Sequence, residues 1–149
     1  MLKKTVIAMF IIGCSLQVFA HCEVPCGIYG DTIRFNLMYE HIETISKCID
    51  EIKAISAEKT PDYNQLVRWV NTKEHHATEF QHVVMQYFMA QRVKAVPAAD
   101  KSYDHYVKQI TLLHQLIVEA MKSKQSTIHE IPENMKKMLH DFQHLYEKH

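Results

Sequence analysis

Six consecutive residues, His21-Cys22-Glu23-Val24-Pro25-Cys26, concentrate the metal-binding chemistry of this chain. If the mature protein begins at His21, its α-amine and the deprotonated amide of Cys22 close a five-membered chelate ring. The same amide and the Cys22 thiolate close a second ring, and Cys26 returns through Pro25 to the fourth corner. Two nitrogens and two sulfurs held nearly coplanar suit Ni(II) or Cu(II) better than tetrahedral Zn(II). The His21 imidazole belongs to the same residue as the amine and can reach an axial position. Thiolates and an amidate are strong anionic donors that stabilise a higher oxidation state. They lower the Ni(III)/Ni(II) potential toward the biological range, and an axial imidazole that binds and leaves turns the peptide into a one-electron switch.

The free amine requires processing, and residues 1–20 have the form of a secretory signal. Lys3 and Lys4 make a positive start, Val6 to Ile12 an apolar centre, and Val18-Phe19-Ala20 an acceptable cleavage site. Thr5 to Ala20 is too short to remain as a bilayer-spanning helix, so no membrane association is expected after cleavage, and the expected location is exported, periplasmic. A lipoprotein-type cut at Ile11-Ile12-Gly13-Cys14 is the alternative; it would leave His21 internal. Four Cys are present, one of them (Cys14) in the signal, which leaves an odd number of thiols in an oxidising compartment. At least one is therefore not in an intrachain disulfide.

Removing Lys3 and Lys4 from the 17 Lys+Arg leaves 15 against 17 Asp+Glu, a net charge of about −2 with His neutral. That balance gives no nucleic-acid surface. Residues 21–149 suffice for one domain with a single core. Eleven His and eight Met raise the question of further metal contact, although exposed His and core-filling Met account for most of them.

Those donors need a scaffold, and the rest of the sequence describes one. The reading divides the chain into a signal (1–20), a metal-binding hook (21–31) and a helical domain (32–149). From Thr32 onward there is no glycine and helical periodicity runs almost throughout. Asp31 or Thr32 can cap a first helix with an apolar stripe of Ile33, Leu37, Met38, Ile42, Ile45, Ile49, Ile52 and Ile55. Thr60-Pro61 predicts the start of a second, striped by Tyr63, Leu66, Val70, Ala77, Phe80, Val84, Tyr87 and Phe88 and ending by Pro97. A third begins near Asp100 with Tyr103, Tyr106, Ile110, Leu113, Ile117 and Ala120. Ser123 to Thr127 reads as a polar connection, and Pro132 opens a fourth with Met135, Leu139, Phe142 and Tyr146 inward. The expected architecture is all-α, an antiparallel up-down four-helix bundle preceded by the hook.

The segment His21-Cys22-Glu23-Val24-Pro25-Cys26-Gly27-Ile28-Tyr29-Gly30-Asp31 strongly resembles the N-terminal hook of nickel superoxide dismutases, His-Cys-x-x-Pro-Cys-Gly-x-Tyr. The remainder agrees in length and class, with looser similarity around Lys73-Glu74 and Tyr87-Phe88. The resemblance implies a superoxide dismutase that turns superoxide into oxygen and hydrogen peroxide. It implies one nickel ion per chain and assembly as a homohexamer. It assigns the metal to His21, Cys22 and Cys26, and places Tyr29 at the open axial face to confine the substrate. The resemblance also implies a Glu and an Arg from the bundle holding the axial imidazole. Here His75-His76 stand at the nearest position after Lys73-Glu74, and Glu40 and Glu43 are the candidates for the acid. Many family members are freed by a cytoplasmic protease, whereas this chain has a Sec-like signal without twin arginines, so nickel loading is expected after export.

The rival readings are a non-catalytic periplasmic metal-binding bundle (a carrier or sensor) and a structural bundle with a Cys22–Cys26 disulfide. A carrier has no need of an amidate or of an imidazole that switches. Lys73 and Glu74 occupy core-facing phases of the second helix for one turn; a Lys reaching outward beside an exposed Glu is the simplest account, with mutual pairing, a bundle end or a subunit contact as alternatives. Cys48, among Ile45, Ile49 and Ile52, reads as a buried inert thiol. Glu79-x-x-His82 is half of a di-iron motif without a second half in residues 21–149, and reads as a solvated face.

Overall fold

The computed structural model describes residues 30–148. The signal, the hook through Tyr29, and with them Cys14, His21, Cys22 and Cys26, lie outside the described residues. Four helical elements follow in order: α1 (Asp31–Ser56), α2 (Tyr63–His82) continuing into a π-helical segment (Val83–Arg92), α3 (Tyr103–Gln125) and α4 (Glu130–Glu147). All regular structure among the described residues is helical. α1 packs on α2 and α4, and α3 on α2 and α4, so the cyclic neighbours pack. This is the up-down bundle that the spacing of apolar residues and short connections predicts.

The core is Met38, Ile42, Ile45 and Ile49 from α1, Ala77 and Phe80 from α2, Val84 and Phe88 from the π segment, Leu113, Leu116 and Ala120 from α3, and Met135, Leu139 and Phe142 from α4. Cys48 is fully buried beside it, as expected for a packing thiol. Burial also pushes that thiol's pKa up, which keeps it protonated and unreactive.

The boundaries shift in instructive ways. Gly30 is the N-cap of α1 and offers no side chain, so Asp31 is not a cap but the first residue of the helix. The cap of α2 is Asp62, whose carboxylate accepts the N–H groups of Asn64 (3.0 Å) and Gln65 (3.1 Å). Pro61 therefore lies before the helix instead of opening it. α3 runs on to Gln125, with Ser123 buried inside it, and α4 begins at Glu130. Pro132 falls within the first turn of α4, where its missing N–H costs no hydrogen bond.

Three inward assignments are overturned. On α1, Ile33 is 66% exposed and Phe35 takes the buried position. On α2, Tyr63 and Val70 face solvent together with Val67. The reason is that α3 ends level with Lys73, so the first half of α2 has α1 alone to pack against. Lys73 marks that level. It does not reach outward: its side chain is 3% exposed, and its ammonium donates to the carbonyls of Ser123, Lys124 (2.8 Å) and Ser126 (3.2 Å). These are the last carbonyls of α3 and the one just beyond, which have no partner inside the helix and carry its negative dipole end. Of the alternatives for this charged turn, the bundle end is the one realised.

Candidate metal centre

The four candidate site residues, His21, Cys22, Cys26 and Tyr29, precede the first described residue. In sequence they run directly into α1, and the described geometry nearest to them along the chain is the bundle end around Asp31. Up-down topology gathers there the start of α1, the π segment, the start of α3 and the finish of α4.

Beneath this end lies an aromatic cluster. The rings of Phe35 and Phe88 are 4.8 Å apart, those of Phe88 and Phe142 5.1 Å, and those of Phe88 and Tyr146 5.7 Å. The tilted and edge-on arrangements are those aromatic quadrupoles favour. Above them, Asp31 collects three hydrogen bonds and an ion pair. Its Oδ1 accepts the Tyr87 hydroxyl (2.5 Å) and the Nε–H of Arg92 (2.7 Å), and pairs with Arg92 Nη2 at 2.5 Å. Its Oδ2 accepts the Tyr146 hydroxyl (3.0 Å). The guanidinium groups of Arg34 and Arg92 also lie over the Tyr87 ring, 5.4 and 5.2 Å from its centroid.

The electrostatics follow from those contacts. Burial works to raise the Asp31 pKa, but the bonds from Tyr87, Arg92 and Tyr146 and the Arg92 charge outweigh it, leaving the carboxyl below its ordinary 3.8. Burial and the bond to that carboxylate push Tyr87 and Tyr146 up to about 12. Both phenols are therefore fixed hydrogen-bond donors at neutral pH.

A second polar pair lies further along α1. His41 Nδ1 and His76 Nδ1 are 2.9 Å apart, so one donates to the other, and His75 stacks edge-on against His76. Burial first, then the neighbouring imidazoles, lower the pKa of His41; burial and His75 lower that of His76. A neutral pair can share the contact, whereas two imidazolium ions would repel. His76 is thus partnered by an imidazole from α1 and not by a carboxylate. Glu43 pairs with Lys136 at 2.7 Å on the outside of the bundle, and Glu40 is exposed. Glu79 is half-exposed and His82 exposed. Among the described residues no group of three or more His, Cys, Asp and Glu side chains is placed to hold a metal ion, and no described helix is long and apolar enough to cross a membrane.

Sequence reasoning treated Asp31 as a cap and Tyr87 and Tyr146 as stripe residues, and it passed over Arg92. One clue was present: tyrosines at the ends of two inward stripes carry hydroxyls that need partners once buried.

Fold and sequence together define a class, an up-down helical bundle whose candidate soft-metal donors stand on a short segment ahead of its first helix in the sequence. Within that class the match is specific: the family model described as nickel-containing superoxide dismutase covers residues 16–149. The chain belongs to that family. It is an enzyme that converts superoxide to oxygen and hydrogen peroxide with nickel as cofactor. No curated protein and no solved structure matches the chain.

Proposed function

We propose that nickel is held, one ion per chain, by the His21 amine and imidazole, the Cys22 amide nitrogen and thiolate, and the Cys26 thiolate. The donor chemistry fits the ion: two thiolates, an amidate and an amine suit a square-planar d8 centre, and an imidazole suits the higher oxidation state. This donor set, lying inside the span matched by the family, is the observation that carries the reading. When bound, nickel supplies a Ni(III)/Ni(II) couple that takes one electron from a first superoxide and returns it to a second. The first superoxide leaves as oxygen; the second takes that electron and two protons and leaves as hydrogen peroxide.

The chain's own groups do the rest. The amine exists only if His21 is the mature N-terminus, so cleavage after Ala20 builds the ligand. That places maturation at export, in the periplasm, with no membrane attachment afterwards. With the amine, the amidate and both thiolates committed to the metal, substrate selection would fall to other groups of the chain. The Tyr29 phenol, three residues after Cys26, can hydrogen-bond a small anion and exclude larger molecules. The chain works as a homo-oligomer, a hexamer by resemblance. The exposed Tyr63, Val67 and Val70 on α2, at spacings of four and three residues, support association.

The test is chemical. Cys22→Ser replaces a soft, strong donor by a weak one and should eliminate both nickel and dismutation while leaving the helix content of the bundle unchanged. One residue added before His21 should abolish activity in the same way. A fully nickel-loaded, active Cys22→Ser protein overturns the coordination. Light scattering of the exported protein checks the assembly.

A further inference from the structure

From the contacts at the root of the hook we infer that Asp31, clamped by Tyr87, Arg92 and Tyr146, is a positioning residue that fixes where the nickel-binding segment leaves the bundle. This inference rests on the hook reading above and adds the device that holds it. Three independent observations carry it.

The first is the place of Asp31 in the chain. It is the first residue of α1, five residues after Cys26 and two after Tyr29. Gly30, the N-cap, makes no side-chain hydrogen bond. Among the described residues no side-chain cap sits at this helix start, and the Asp31 side chain supplies a restraint there.

The second is the number of elements that hold one group. Asp31 accepts hydrogen bonds from Tyr87, Arg92 and Tyr146 and pairs with the Arg92 guanidinium. These partners come from 56, 61 and 115 residues away. Bonds to an ionised acceptor are short and directional, and here they tie α1 to both the π segment and α4. Closing a bundle end needs only apolar surface; a carboxylate held from two elements also fixes orientation.

The third is the π segment itself. In an α-helix, side chains five residues apart point about 140° away from each other, at 3.6 residues per turn. A π-helix bonds each residue to the one five along, so such residues come nearly into line. Tyr87 and Arg92 are five apart, both lie in the π segment, and both bond the same Asp31 oxygen. The segment's final turn is closed by the Val93 N–H donating to the Phe88 carbonyl at 2.8 Å, again five residues back. An α-helix over 83–92 would aim one of the two donors elsewhere. The rare conformation therefore has a local purpose, to bring two donors to one carboxylate at the foot of the hook.

The experiment uses the exported, nickel-loaded protein. Asp31→Asn removes the charge at constant size, and Arg92→Lys keeps the charge but loses the two-point fork. Leu139→Ala, in the core away from this end, serves as a control for destabilisation alone. Four quantities are read: nickel affinity by chelator competition, the paramagnetic spectrum of the oxidised form, amide exchange over residues 22–31, and the thermal midpoint. Both clamp variants should weaken nickel retention by about tenfold, the size of loss seen when a group supporting a ligand is removed. They should also broaden the spectrum and speed exchange in the hook, while Leu139→Ala lowers the midpoint at least as far and leaves the other three readouts unchanged. Clamp variants with wild-type affinity, spectrum and exchange overturn the inference, as does a Leu139→Ala protein showing the same losses. Cys22→Ser measured in parallel separates the two ideas. If it keeps its nickel, the hook reading is what fails; if it loses nickel while the clamp variants do not, only the positioning role falls.

Discussion

Two of the charges among the described residues are each held by several partners, and they are met in opposite ways. At the hook end a carboxylate, Asp31, is met by side-chain donors from the π segment and α4. Toward the other end an ammonium, Lys73, is met by backbone carbonyls at the close of α3. Side-chain donors restrain the position and direction of the group they hold, because each is fixed on its own element. Carbonyls at a helix terminus instead offer a charge a generic sink, provided by any helix that ends there. The first arrangement suits the root of a site and the second suits closing a fold. The difference teaches which charge belongs to the chemistry and which to stability.

Breaking the Lys73 side of the comparison should have the largest effect on stability. Lys73→Met keeps the length of the side chain and leaves three carbonyls without their donor. Hydrogen bonds to a charged group are each worth about 1.5–3 kcal/mol, and water can replace part of the loss at the end of α3. A fall of about 3 kcal/mol in unfolding free energy is expected in chemical denaturation. Nickel content per folded chain should not change. A nickel defect in this variant would erase the distinction between the ends.

Tyr146→Phe makes a smaller cut on the Asp31 side. It deletes the longest of the three hydrogen bonds, at 3.0 Å, and preserves the ring packing against Phe35 and Phe88. About 1 kcal/mol of stability should go, with a measurable rise in hook exchange despite the smaller stability loss. Exchange rates that follow stability alone, equal in Tyr146→Phe and a matched core variant, would reduce the cluster to a structural role.

The mildest test uses pH. His41 and His76 have folded pKa values below the ordinary 6.5, so the unfolded chain takes up their protons first. Their contribution is complete above about pH 6.5 and is lost as pH falls toward the lowered folded values. Asp31, below 3.8 when folded, adds its own loss in a lower window by the same sign. On the alkaline side, Tyr87 and Tyr146 should ionise near 12, above the ordinary tyrosine value of 10, in a spectrophotometric titration. Asp31→Asn should bring both back toward 10, and an unaltered titration would deny the bonds.

Much of this was legible in advance because it depends on local order. Met38, Ile42, Ile45, Ile49, Phe80, Leu113, Leu139 and Phe142 recur at helical spacing and are buried where that spacing puts them. The proposed donor set rests on a different kind of local order: its members lie within six consecutive residues, so their chelate rings follow from covalent geometry alone. What escaped was whatever required two distant segments. Val70 and Tyr63 fit an inward stripe, yet face solvent because α3 ends short of them. Lys73 read as a surface lysine because backbone carbonyls leave no trace in residue identity. The π segment escaped because Phe80, Val84, Tyr87 and Phe88 fit an α-helical stripe just as well.

The sequence by itself determined the helical class and most of the core, and it carries the proposed donor set, since chelation and amphipathic periodicity are properties of neighbouring residues. Only the tertiary structure decided that Asp31 is an anchor and not a cap, that His76 meets His41, and that Lys73 closes α3. Each depends on where one helix stops beside another. That level is set by the packing of whole elements, and periodicity within any one of them is blind to it.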